Sequence, residues 1–130
     1  MKVSTKIHVR FSDIDVMGHV NNAIYLSYFE QGRMGFFNES VGIKWDWRTN
    51  GIVLAHNEVD YLHPILLNDK PIIDTWLESV GEKSLTFMYD LNDGKGKTFA
   101  RGKSVLVSYD YETQRSKTVP EQWRALVNKP

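Results

Sequence analysis

Two periodicities divide the chain. From residue 22 to about 38, apolar side chains recur three and four apart, so Tyr25, Tyr28, Phe29, Gly32 and Phe36 stack on one face of a predicted helix. Ser27, Glu30, Gln31 and Arg33 fall on the other side. Gly32 and Gly35 weaken such a helix, which predicts a close approach by a neighbouring backbone. From Gly51 onward the period becomes two. "IVLAHNEVDYLHPI" and "PIIDTWLESVG" are predicted strands. "SLTFMYDLN" follows, with Leu85, Phe87, Tyr89 and Leu91 on one face. In "TFARGKSVLVSYD", Phe99, Val105, Val107 and Tyr109 share a face with Arg101 and Lys103. "KIHVRF" near the start alternates and predicts a first strand.

"LNDK", "GEK" and "DGKGK" separate the later runs and carry the glycine, asparagine and aspartate that hairpin turns favour. Links this short predict four long strands in an antiparallel meander. "TVPEQWRAL" predicts a short closing helix with Pro120 in its first turn. One apolar helix laid on an antiparallel sheet buries both faces, an α+β architecture in a single domain over residues 1–130. The second face of the sheet, with Trp76 and Leu106, is expected to need cover, which a second subunit would supply.

Composition narrows the function classes. The 130 residues are 42% hydrophobic and 25% charged, enough for one core. Sixteen basic side chains balance sixteen acidic ones, so no net field calls for nucleic acid or an anionic membrane as partner. Without cysteine there is no disulfide, thiol catalysis or thiolate metal site. The start "MKVSTKIHVRF" lacks a secretory apolar stretch, and no run approaches the roughly 18 apolar residues of a membrane span. The expected compartment is therefore the cytoplasm. His8, His19, His56 and His63 show no short ligand spacing, so neither metal nor cofactor is expected.

Several motifs fail on inspection. "DGKGKT" imitates a phosphate-binding loop, but Leu91 stands where the first glycine is required, and the segment joins two strands. No G-x-S-x-G elbow exists. His56 and His63 are seven apart on a strand, hence on opposite faces, and are expected to be hydrogen-bonded structural residues. What remains is "DIDVMGHVNNAIYLSYFEQGR", residues 13–33. Asp13 or Asp15 suits a turn, and Asn21 or Asn22 a helix cap. A helix start also offers unpaired N–H groups and partial positive charge, which polarise a carbonyl and hold an oxyanion. A carboxylate just upstream activates water or attacks directly, and Gly18 lets the two converge. These parts suit acyl transfer.

The stretch "VRFSDIDVMGHVNNAIYLSYFEQGR" resembles the signature of hotdog-fold acyl-CoA thioesterases of the 4-hydroxybenzoyl-CoA thioesterase-like family. The match runs through Asp13, Asp15, Gly18, Val20, Tyr25 and Glu30. "HVNN" is similar to a segment of plant acyl-ACP thioesterases, and "ARG" at residues 100–102 and "VP" at 119–120 extend the likeness. The resemblance implies a hotdog: a long central helix wrapped by a curved antiparallel β-sheet, paired into homodimers or homotetramers with sites at the interface. It implies Asp15 as general base or nucleophile, and the Asn22 N–H on the thioester carbonyl. His19, where the benzoyl-CoA enzyme has an aliphatic residue, would join the Asn22 side chain in orienting water or substrate. Gly18, Tyr25 and Glu30 would contact substrate, although Glu30 equally pairs with Arg33 on the helix. Asp13 is expected to be structural. The expected substrate is an acyl-CoA, fatty or aromatic, with acyl-ACP hydrolysis or a non-catalytic acyl-thioester binding module as the alternatives. Lys95, Lys97, Arg101 and Lys103 are candidates to meet phosphates or an acidic carrier.

Overall fold

In the computed structural model, which describes residues 1–128, the first strand comes earlier than the alternation suggests. Strand β1 spans Lys2–Lys6 and pairs antiparallel with β3, Ile72–Val80. The Ile7 N–H donates to the Pro71 carbonyl at 2.9 Å, and there the ladder stops, because Pro71 has no N–H to return. Alternate burial nevertheless continues through Ile7 and Val9.

Helix α1, Ile24–Ser40, buries Tyr25, Tyr28, Phe29, Gly32, Phe36 and Phe37. Arg33 joins this stripe instead of the exposed side expected for it. It lies four residues from both Phe29 and Phe37, so the helix aims it inward. Its guanidinium is satisfied there by the Tyr89 hydroxyl at 2.9 Å and the Ser104 hydroxyl at 3.4 Å. The close approaches at the helix glycines come from side chains, not backbone. A Cβ on Gly32 would strike Thr75 and Ile73 of β3, and one on Gly35 would strike Thr5 of β1.

The sheet runs β1-β3-β4-β5-β2 with every pair antiparallel, where β2 is Gly51–Tyr61, β4 Ser84–Asn92 and β5 Thr98–Asp110. Only β3-β4-β5 form the expected meander. β2 pairs with β5, and β1 occupies the place beside β3. The "LNDK" turn is therefore not a hairpin. It sits within a link, residues 62–71, long enough to carry the chain across the sheet. A short strand β6, Arg115–Ser116, folds back on β5. After Pro120 a 3-10 turn, Glu121–Leu126, seats Trp123 against Phe37 and Trp45, with ring centroids 5.6 and 5.7 Å away.

Leu85, Phe87, Tyr89 and Leu91 face the helix as expected. On β5, however, the inner face is Ala100, Gly102, Ser104 and Leu106, with Leu106 paired to Leu85 and only 2% exposed. Small residues are needed there because Phe29 stacks on Tyr89 at 4.3 Å, and a Cβ on Gly102 would enter the Phe29 ring. Leu106 thus needs no outside cover, whereas Trp76 lies half-buried on the outer face. The Lys2 ammonium lies 4.4 Å from its ring centroid. Beside it, Asp74 and Asp90 accept from Asn92 at 3.0 Å each, and Arg101 approaches Asp90 at 3.7 Å. The outer face of the sheet thus combines these polar pairs with half-buried apolar side chains such as Trp76, Val105 and Val107. A helix wrapped by this curved antiparallel sheet is the hotdog fold. Among the described residues, no helix is long and apolar enough to cross a membrane.

Candidate active site

The segment before α1 is built as a closed loop. Ile14 and Val20 form an antiparallel bridge, and the Asp15 N–H donates to the His19 carbonyl at 2.8 Å. The Gly18 N–H closes on the Asp15 carbonyl at 3.0 Å, with Gly18 at φ +83°, a conformation that favours glycine. Asp15 Oδ1 accepts the Met17 N–H at 2.9 Å. Asp15 is therefore itself the turn residue, and among the described residues its other carboxylate oxygen has no partner.

Asp13 anchors this loop to the helix. It is buried, and its Oδ2 accepts the Tyr28 hydroxyl at 2.7 Å and the Arg10 N–H at 3.0 Å. Burial first, and then this bond to a carboxylate, push the Tyr28 phenol far above its ordinary range. The Asp13 carbonyl also accepts the Asn21 N–H at 2.8 Å.

Neither asparagine is the cap of α1: that position is Ala23, without a side-chain cap, and Asn21 makes the turn leading into it. Asn21 Oδ1 accepts the Ala23 N–H at 3.0 Å and its carbonyl the Ile24 N–H at 3.0 Å. A trans peptide points its N–H opposite to its carbonyl. With the Asn21 carbonyl directed at Ile24, the Asn22 N–H points backward, out of the helix start. Among the described residues it has no acceptor. The next peptide is fixed too, because the Tyr61 hydroxyl donates to the Asn22 carbonyl at 2.9 Å.

The crossing link closes the site. The Val20 N–H donates to the Ile65 carbonyl at 2.9 Å, and the Leu62 and His63 N–H groups both donate to the Phe99 carbonyl, at 2.9 and 3.0 Å. Asp15, His19, Asn22, Tyr25, Tyr61 and His63 line one cavity of about 380 Å³. Its size suits a small organic group. Burial raises the Tyr25 phenol, partly offset by the Ile65 backbone N–H, and the ring packs edge-on against Tyr61 at 4.8 Å.

Four of the expected residues, Asp15, His19, Asn22 and Tyr25, meet in this cavity. Gly18 shapes the turn without lining the wall. Glu30 is elsewhere. Eight residues along α1, about 12 Å from Asn22, it is exposed, 4.0 Å from Arg33, beside a second cavity of about 240 Å³ between α1 and β2. Arg101 and Lys103 stand on the outer sheet face beside Glu58 and Asp60, away from this cavity. Tyr61 and His63 were not expected here. "YLHP", an aromatic and a histidine ending a strand just before proline, is the only local signal for them. Among the described residues, no three His, Asp or Glu side chains converge as a metal site requires.

The arrangement sets a fixed donor at a helix start and a free carboxylate oxygen among the residues lining one cavity. Known proteins resemble the chain over most of its length. A thioesterase of Thermus thermophilus, whose structure was solved with coenzyme A and Zn, is 35% identical, with a TM-score of 0.83 and 98% of each chain covered. The long-chain acyl-CoA thioesterase FadM of Escherichia coli is 30% identical over 117 residues, 88% of each chain. The chloroplastic acyl-acyl carrier protein thioesterase ATL3 of Arabidopsis thaliana is 28% identical over 85% of this chain and 60% of its own length. The pattern of the thioesterase-like superfamily matches residues 9–127, nearly end to end; the chain belongs to that family and is a thioester hydrolase.

Proposed function

We propose that the protein hydrolyses acyl-CoA to free acid and CoA, with Asp15 as the reactive carboxylate. The observation that carries this reading is the pairing, in one cavity, of the unpartnered Asn22 N–H and the free oxygen of Asp15. The thioester carbonyl oxygen sits on the Asn22 N–H, reinforced by the positive end of α1. In one route, Asp15 takes a proton from water as the water oxygen attacks the carbonyl carbon. The C–S bond then breaks, and the thiolate leaves with the electron pair and recovers that proton. In the other, the Asp15 oxygen attacks, expels the thiolate and forms a mixed anhydride that water opens. Label in Asp15 after a single turnover in ¹⁸O-water identifies the second route with water opening the anhydride at the Asp15 carboxyl carbon, since general-base attack puts label only into the free acid. His19 and the Asn22 side chain orient the water or substrate.

FadM and the coenzyme A complex of the Thermus relative support CoA as carrier, while the Arabidopsis relative supports acyl carrier protein as the second substrate class. The test is release of free thiol from short, long and aromatic acyl-CoAs and from acyl carrier proteins. Asp15→Asn should lower kcat at least about 100-fold with the fold intact. Wild-type turnover by that variant would end the assignment.

A second copy completes the molecule in this reading. β2 ends the sheet with one edge unpaired, and Met34, Val53 and Leu54 are exposed beside the cavity between α1 and β2. Glu30 faces that same groove, which is where a partner subunit would meet it. A homodimer or homotetramer by sedimentation is the expected assembly. The cysteine-free sequence supports the cytoplasm as its compartment.

A further inference from the structure

We infer that His63 reads the thiol arm of the substrate, its Nε2 accepting a hydrogen bond from the amide N–H two carbons beyond the thioester sulfur. This rests on the hydrolysis reading above, because it presumes a phosphopantetheine thioester in the cavity.

The argument begins with a tautomer. His63 Nδ1 lies 2.9 Å from the Thr98 carbonyl oxygen. A carbonyl only accepts, so Nδ1 carries the proton of the neutral imidazole. Nε2 is then left with a lone pair and can only accept. The ring cannot easily swivel to change this. The backbone N–H groups of Leu62 and His63 are both held by the Phe99 carbonyl, so main chain and ring are fastened to successive carbonyls of β5.

Position supplies the second part. Within the cavity, exposure falls from His63 and Leu62, which are exposed, to Tyr25 at 3%. His63 therefore stands at the mouth, and the acyl group belongs toward Tyr25. The thiol arm leaves past His63. Tyr61, also exposed there, spends its hydroxyl proton on the Asn22 carbonyl, so it too presents only acceptor lone pairs to a ligand. A ligand passing a fixed acceptor is favoured if it brings a donor. In a pantetheine thioester the first polar group after sulfur is an amide N–H, separated by two methylenes. Coenzyme A and acyl carrier protein both present this arm, so His63 recognises what the two carriers share.

The test compares an acyl N-acetylcysteamine thioester with its isostere in which an ester oxygen replaces the amide N–H. The wild-type protein should prefer the amide by about tenfold in kcat/KM, the worth of one hydrogen bond. In His63→Phe that ratio should fall to about one. The same variant should lose about tenfold on acyl-CoA or acyl carrier protein, whichever the wild type turns over. The corresponding non-hydrolysable thioethers give the same comparison as dissociation constants, independent of catalysis and of Asp15. If the wild-type preference is absent, or persists in His63→Phe, or both small substrates fall equally, the inference is overturned. Failure of the hydrolysis reading would look different: no thiol released by wild type, with the thioether ratio still measurable.

Discussion

Asp13 and Asp15 stand two residues apart, and the structure separates their duties in a way that stability measurements can weigh. Asp13→Ala removes the bond from Tyr28 at 2.7 Å and the one from the Arg10 N–H at 3.0 Å. Hydrogen bonds to a charged group contribute about 1.5–3 kcal/mol each when buried, less at a half-buried N–H. The variant also strands the Tyr28 hydroxyl, in a residue 1% exposed, without a partner. Together these predict a loss of about 3–5 kcal/mol. Tyr28→Phe deletes the hydroxyl itself and leaves the carboxylate one N–H, so about 1.5–3 kcal/mol is expected. Once Asp13 is gone, deleting the hydroxyl removes a stranded group instead of a bond. The double variant should therefore fall short of the sum by about 1–3 kcal/mol. Urea unfolding followed by circular dichroism, with equal m-values across the four proteins, measures the cycle. Additive losses would refute the anchoring role, as would an Asp13→Ala protein as stable as wild type. Asp15→Asn, by contrast, should change stability little, because its contacts are confined to its own exposed turn.

Tyr61→Phe should lower kcat about three- to tenfold with KM nearly constant, through loss of the bond that fixes the peptide after Asn22; steady-state kinetics on an acyl-CoA would show it, and an effect confined to KM would contradict it. Gly32→Ala should destabilise by about 1–2 kcal/mol, since overpacking against buried Thr75 and Ile73 outweighs the roughly 1 kcal/mol helix gain; thermal and urea melts decide the sign. Stability should also fall above about pH 10. Burial raises the Tyr25, Tyr28 and Tyr89 phenols in the folded state. The unfolded chain therefore releases these protons first, and the stabilisation present below pH 10 is lost as pH rises, by up to about 1.4 kcal/mol per pH unit for each phenol. Urea midpoints between pH 8 and 11 test this, with a shallower slope expected for Tyr28→Phe.

What could be read in advance follows from how local each determinant is. The bounds of β4 and β5 match their alternating runs to the residue, since the hairpin between them is closed by its own Asp93, which accepts the Lys95 and Lys97 N–H groups at 2.7 and 3.0 Å. The partner of β2 depends instead on where a long link sends the chain, which no residue within β2 encodes. The inner face of β5 was hidden for a related reason. Val105 and Val107 outweigh Ala100, Gly102 and Ser104 in hydrophobicity, but the room left by Phe29 chooses the small ones. Arg33 looked like a surface residue until Tyr89 and Ser104, far along the chain, supplied its partners. The site divides the same way. Asp15, His19, Asn22 and Tyr25 lie within one short segment and were legible together, whereas Tyr61 and His63 arrive only through the β2–β5 pairing.

The closed loop ahead of α1 also constrains how this protein can diverge. Its ends are bridged at Ile14 and Val20, its entrance is tied by Asp13 to Tyr28, and its exit is turned by Asn21, which accepts the Ala23 N–H. Side chains within it, such as the almost fully exposed Val16, are free to be exchanged. Its length is not. One inserted residue between Asp15 and Asn22 would rotate the acid away from the helix start while leaving every functional group present. Lineages built on this loop should accumulate substitutions there but no insertions, and should place their length changes at solvent-exposed turns that hold no site residue, such as the one at residues 93–97.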